Sequence, residues 1–193
     1  MSVALPDTLR LSQLSRPQLA EVLEHLFERC ASLSDFLIDN VFSENKSFST
    51  YNELIQTCRD KLLTFLSGTE EESTLGGRQI DPRVSRIISA HPRLGPQPSD
   101  QQRLSSHSAS EQKSLAAASK EEEAQLVQMN ELYEKTFPGL RYIVFVNGRP
   151  RKAILENMAY RINRNDISAE RREALNAMCD IALDRVRKLG AKL

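Results

Sequence analysis

Three residue types in this chain could together move a proton and hold an anion: an imidazole, a carboxylate and a guanidinium. His91 stands in Ala90-His91-Pro92-Arg93-Leu94-Gly95, where Pro92 stops a helix, and Glu111 stands in Ser108-Ala109-Ser110-Glu111-Gln112, where another opens. An imidazole titrates near neutral pH and suits general acid/base work, and a nearby carboxylate can orient or charge it. Arg161 and Arg185 fall on the flanks of apolar helix faces, from which a guanidinium can bind a carboxylate. Each residue also has a purely structural reading. His91 can bond the last free carbonyls of its helix, Ser108-x-x-Glu111 is a capping-box sequence, and both arginines can snorkel or pair. His107 and Glu111 have the i, i+4 spacing of a metal pair, but no further ligand set accompanies them, so no metal is expected.

The elements that must position these groups are helical. Ser15-Arg16-Pro17 starts an amphipathic helix carrying Leu19, Val22, Leu23, Leu26 and Phe27, and a shorter apolar segment follows over 33–42. Ser49 can cap a helix with Leu54, Ile55, Cys58, Leu62, Phe65 and Leu66. Residues 67–79, with three glycines and three consecutive Glu, read as an exposed loop, and Asp81-Pro82 starts the helix that delivers His91. Pro96 and Pro98 lie in a connector to a long helix opened by Ser108 and ended near Thr136 by Phe137-Pro138-Gly139. The run 142–146 is β-like but has no second strand to pair with, so the spacing predicts a buried, extended connector near 142–147. Its unpaired backbone groups suit a ligand rich in amides. Pro150 begins a helix through Asn165, and Ser168 caps a last one whose inward stripe is Leu175, Met178, Ala182, Val186 and Leu189. The expectation is all-α: one compact domain over 1–193 with seven or eight helices.

Composition narrows the partners. The 26 Lys+Arg and 26 Asp+Glu residues cancel, which removes the electrostatic footprint of a nucleic-acid binder. No segment is long and apolar enough to insert in a membrane, and the N-terminus lacks the pattern of a secretory signal. Cys30, Cys58 and Cys179 share no metal-type spacing and suit reduced, mostly buried thiols. Ala191-Lys192-Leu193 differs from the peroxisomal address Ser-Lys-Leu by one small-for-small change; the other reading is a frayed basic helix end in a cytoplasmic protein.

Taken in order, AHPRLG (Ala90 to Gly95), SASEQ (Ser108 to Gln112), FPGLRYIVFVNGR (Phe137 to Arg149), RIN (Arg161 to Asn163) and CDIALDRV (Cys179 to Val186) resemble the OHCU decarboxylase family of uric acid degradation, in particular its longer fungal-type members. OHCU is 2-oxo-4-hydroxy-4-carboxy-5-ureidoimidazoline. The resemblance implies an all-α homodimer that needs no cofactor and converts OHCU to (S)-allantoin and carbon dioxide. It puts the catalytic histidine at His91 and a substrate-contacting proline at Pro92. Ser108, Glu111 and Gln112 take the Ser-x-x-Glu-Gln element, Ile143, Val144, Phe145, Val146 and Asn147 the substrate-binding extended segment, and Arg185, in preference to Arg161, the arginine of the last helix. Departures lie outside these positions: no Trp follows the first helix, the 67–79 stretch is long, and Pro150 replaces a usual Ser or Thr.

The chemistry accounts for so small a set. The departing carboxylate sits next to a ring C=N bond that can receive its electrons, so the substrate is its own electron sink. The resemblance also strengthens the peroxisomal reading of Ala191-Lys192-Leu193, with the import receptor as a partner. A competing reading is a non-catalytic helical interaction domain that keeps the fold, against which the joint presence of His91, Glu111 and Arg185 argues.

Overall fold

Most of the helices begin where a side chain offers an acceptor to their first free N–H groups. The computed structural model describes residues 4–43, 47–95 and 119–193. Among them the chain is all-α, with a 3-10 helix, Thr8–Gln13, seven α-helices and no strand. Helix α1, Arg16–Leu26, opens with Pro17 in its first turn and the Gln18 side chain accepting from Ser15 N–H at 2.9 Å. Helix α2 is Ala31–Val41. The hydroxyl of Thr50, one residue after the expected cap at Ser49, accepts from Glu53 N–H at 3.2 Å and starts α3, Tyr51–Gly76. Asp81 caps α4, Pro82–Ser89, through Arg83 N–H at 2.8 Å.

The stretch 67–79 is not a loop as expected, because α3 runs on to Gly76 and Gly77 ends it at φ 62°. Tertiary contacts hold these last turns. Glu70 accepts from Ser168 at 2.9 Å and pairs with Arg171 at 3.3 Å, while the Thr69 hydroxyl accepts from Asp81 N–H at 2.7 Å. Gly68 faces open space, so a weak helix former there disturbs no packing.

Helix α5, Lys120–Thr136, begins at Ser119, whose hydroxyl accepts from Glu122 N–H at 3.2 Å. The helix that ends at Thr136 therefore does not start at Ser108; that position, the 96–107 connector and the rest of SASEQ lie outside the described residues. Helix α6 is Arg151–Arg164, closed by Asn165 at φ 53°. Asp166, not Ser168, caps α7, Ile167–Lys188, accepting from Ala169 N–H at 2.9 Å.

Helices α3 and α7 form the central pair, with α1 and α4 also packed on α7 and α2 touching α1, α3 and α4. Leu54, Ile55 and Leu62 of α3 and Ala182 and Val186 of α7 are wholly buried in one core, each large aliphatic side chain contributing about 1.5–3 kcal/mol. Helices α5 and α6 pack on each other, and one buried carboxylate of α7 reaches both. Glu170, with no exposed surface, accepts from Tyr133 of α5 at 2.5 Å and pairs with Arg161 at 2.7 Å and Arg164 at 2.5 Å, both of α6.

Gly190, at φ 70°, turns the chain out of α7, and Ala191 N–H reaches back to Val186 O at 3.2 Å. Lys192 O then accepts from Tyr51 N–H at 3.1 Å, and the Tyr51 hydroxyl donates to Pro6 O at 2.8 Å. No helix among the described residues is long and apolar enough to cross a membrane.

Candidate active site

The imidazole of His91 is carried by a short segment fixed at almost every residue. Helix α4 buries Val84, Ile87 and Ile88 and stops at Pro92, which leaves His91 one residue beyond the cap Ala90. His91 N–H donates to Ile88 O at 3.3 Å, and His91 O accepts from Arg141 Nη1 at 2.9 Å. The residue is half-buried, with Nδ1 out of contact with solvent. Arg93 then grips Glu134 of α5 with two bonds of 2.6 Å, and Leu94 O accepts from Asn130 of α5 at 2.9 Å. Gly95, at φ 100°, packs so tightly on α5 that an added Cβ would lie 2.7 Å from Leu126 Cδ2. The motif AHPRLG is thus a bracket between α4 and α5, with His91 and the half-buried Pro92 presented at its start.

Arg141 joins this bracket to the second motif, because it immediately precedes the extended run. Residues 142–147 form no strand, as expected, and lie partly sunk between helices: Tyr142 and Ile143 are buried, Val144, Phe145 and Val146 half-buried, and Asn147 exposed. Asn147 at φ 44° and Gly148 at φ 71° make a turn closed by Arg149 N–H to Val146 O at 2.9 Å, the geometry Asn-Gly favours. Three of the run's carbonyls are occupied: Ile143 O accepts from Arg161 at 3.0 Å, Phe145 O from Arg149, and Val146 O from Arg149 Nε at 3.3 Å. Its N–H groups from 143 to 147 donate to no described residue. Burial pushes the Tyr142 hydroxyl pKa up to about 12, so that hydroxyl stays protonated and donates to Asn157 Oδ1 at 2.6 Å.

The two arginines occupy different settings. Arg161 lines a polar cleft of about 380 Å³ together with Val144, Phe145, Asn147 and Arg149. Burial works against its charge, but the Glu170 hydrogen bond and the charges of Glu170 and Glu173 outweigh it and hold its pKa above the ordinary value. Arg185 is 1 % exposed, not at a flank as the helix wheel had it. Its Nη2 pairs with Glu28 at 2.7 Å and its Nη1 donates to Phe27 O at 3.0 Å, at the C-terminal end of α1. A carboxylate that reached Arg185 would meet a guanidinium already charge-balanced by Glu28. Helix α7 brings Arg185 into a bundle with α4, the helix just beyond whose end His91 stands.

His91, Pro92, the segment 143–147 and Arg185 therefore lie on helix ends and connectors of one core, while Ser108, Glu111 and Gln112 are outside the described residues. A family model described as OHCU decarboxylase matches residues 12–187 of the 193. The chain belongs to the OHCU decarboxylase family. No curated protein matches the sequence. Membership makes the chain a decarboxylase, a carboxy-lyase of urate degradation acting on a small molecule. The roles of Arg141, Asn130, Glu134 and Arg149 in holding these elements were missed from sequence. Arg141 and Arg149 stand inside FPGLRYIVFVNGR and could have been marked, whereas Asn130 and Glu134 look like any polar residues of a helix surface. Among the described residues, no three His, Cys, Asp or Glu side chains gather as a metal-binding group, and the three thiols are free.

Proposed function

We propose that this OHCU decarboxylase family member converts OHCU to (S)-allantoin and carbon dioxide without a cofactor. The supporting observation is the segment 143–147, a non-helical backbone that turns at Asn147 and whose N–H groups donate to no described residue, suited to the ring and ureido carbonyls of such a substrate. The bond from the substituted ring carbon to its carboxylate breaks and carbon dioxide leaves. The electron pair forms a C=C bond as the adjacent C=N opens onto its nitrogen, which takes a proton to give an enol; the ureido-bearing carbon then takes a second proton as the hydroxyl gives one up, a net uptake of one proton for each carboxylate lost. His91, oriented or charged by Glu111, exchanges these protons. Arg185 positions the carboxylate, Pro92 bounds the ring, and Ser108, Gln112 and the 143–147 backbone hold the amides so that one face is protonated.

The substrate is short-lived, so it is generated in situ from urate by the two preceding activities while optically active allantoin is followed. Catalysis is expected in the wild type and its loss in His91→Asn, with circular dichroism unchanged. No acceleration over spontaneous decay in the wild type removes the proposed reaction, and near-normal turnover in His91→Asn removes His91 from it. We also propose that two copies associate, a reading that a monomeric mass by light scattering would end. Ala191-Lys192-Leu193 is proposed to direct the protein to peroxisomes through the import receptor. A fluorescent fusion that stays in place when the tripeptide is deleted would count against that address.

A further inference from the structure

Arg149 is exposed, yet its guanidinium bonds go to main-chain carbonyls rather than to a carboxylate. They reach Phe145 O and Val146 O, within the segment proposed to read the substrate. The peptides here are trans, and in a planar trans unit the N–H of one residue points opposite to the C=O of the residue before it. With Ile143 O turned to Arg161, Val144 N–H points away from Arg161. With Phe145 O turned to Arg149, Val146 N–H likewise points away from Arg149. Both arginines border the same cleft, so the two N–H groups face the side away from it. In extended chain, residues two apart share an edge and lie about 7 Å from each other. Val144 thereby offers an N–H and a C=O side by side, the complement of a ring lactam, and Val146 offers a second donor further along for a carbonyl or carboxylate.

Arg161 cannot slip, because Glu170 and Glu173 hold it in the buried network. The far half of the edge has no such support. It runs into Asn147 and Gly148, both at positive φ, in a turn whose main-chain bond from Arg149 N–H holds Val146 O but leaves Phe145 O to the Arg149 side chain. We propose that Arg149 is a positioning residue: by gripping the Phe145 and Val146 carbonyls it fixes the direction of the Val146 N–H that the substrate meets. The inference rests on the proposed reading of the segment as the substrate's amide-binding edge.

The test compares wild type, Arg149→Met, which keeps an apolar stem and loses the donors, and Arg149→Lys, which restores one charged donor. The Met variant is expected to raise KM about tenfold, the scale of one hydrogen bond to a charged group, with a smaller fall in kcat and an unchanged thermal midpoint. Its allantoin, after the unselective product of spontaneous decay is subtracted, should be less optically pure, an effect that a mere loss of active enzyme would not give, and Lys should recover part of both losses. In ligand-free protein the Val146 amide resonance should broaden or shift in the Met variant. A Met variant with wild-type KM, optical purity and Val146 resonance overturns the inference. A wild type that fails to turn OHCU over, alongside a Val146 resonance that still moves, sinks the substrate reading and leaves the positioning role standing.

Discussion

Gly95 shows how much one residue can hold. Its φ of 100° lies where L side chains are strained, and the neighbouring Leu126 leaves no space for a Cβ. Gly95→Ala is expected to cost about 1–3 kcal/mol from backbone strain alone, with the Leu126 clash in addition. It should also lower decarboxylation, because the same segment presents His91. A denaturant midpoint equal to wild type would mean that the bracket relaxes without strain. Sequence could read that Pro92 ends a helix and that His91 is held at its end. It could not read Gly95's contact, because Leu126 lies in another helix. Arg185 was misplaced for a related reason: the helix wheel assumes one buried stripe, whereas α7 is covered by α1, α3 and α4 and buries Arg185 as completely as Val186.

At the scale of elements, most helices were legible because their ends carry chemistry. Ser15 with Pro17, Asp81-Pro82 and Pro150 mark starts that the structure keeps. Ser119-Lys120-Glu121-Glu122 is as good a capping box as Ser108-Ala109-Ser110-Glu111, and passing over it moved the start of α5. The extension of α3 through Glu70 was not legible, since its partners Ser168 and Arg171 come from α7. Glu170 was invisible for the same reason. In sequence it is an acid in the first turn of a helix, where the dipole alone would justify it. In the fold it is the buried joint of α5, α6 and α7. Glu170→Ala leaves Arg161 without its main counter-charge, for which a loss of about 3–5 kcal/mol is expected in urea unfolding. A loss below about 1 kcal/mol, the scale of an exposed ion pair, would mean that the network does not join the layers.

For the whole molecule, burial of weak acids sets an alkaline limit. Burial pushes the Tyr142 hydroxyl and the Cys179 thiol up to about 12, and raises Tyr51 and Tyr133 as well. A group whose folded pKa exceeds its unfolded value binds its proton more tightly in the fold. Its contribution is complete below the unfolded pKa, near 9 for the thiol and 10 for the tyrosines, and fades as pH rises toward the folded value. The denaturant midpoint is therefore expected to fall steadily from about pH 9 to 12. A midpoint flat across that window would show that these groups ionise without opening the core.

Tyr51 adds a constraint in time. Its amide is served by Lys192 and its hydroxyl by Pro6, so the start of α3 is completed by residues from opposite ends of the sequence. During synthesis the early helices leave the ribosome long before Lys192 does, and α3 must wait for α7 to emerge before its first turn is closed. Folding on the ribosome can gather α1 to α4, but the locking step waits until Lys192 is free of it.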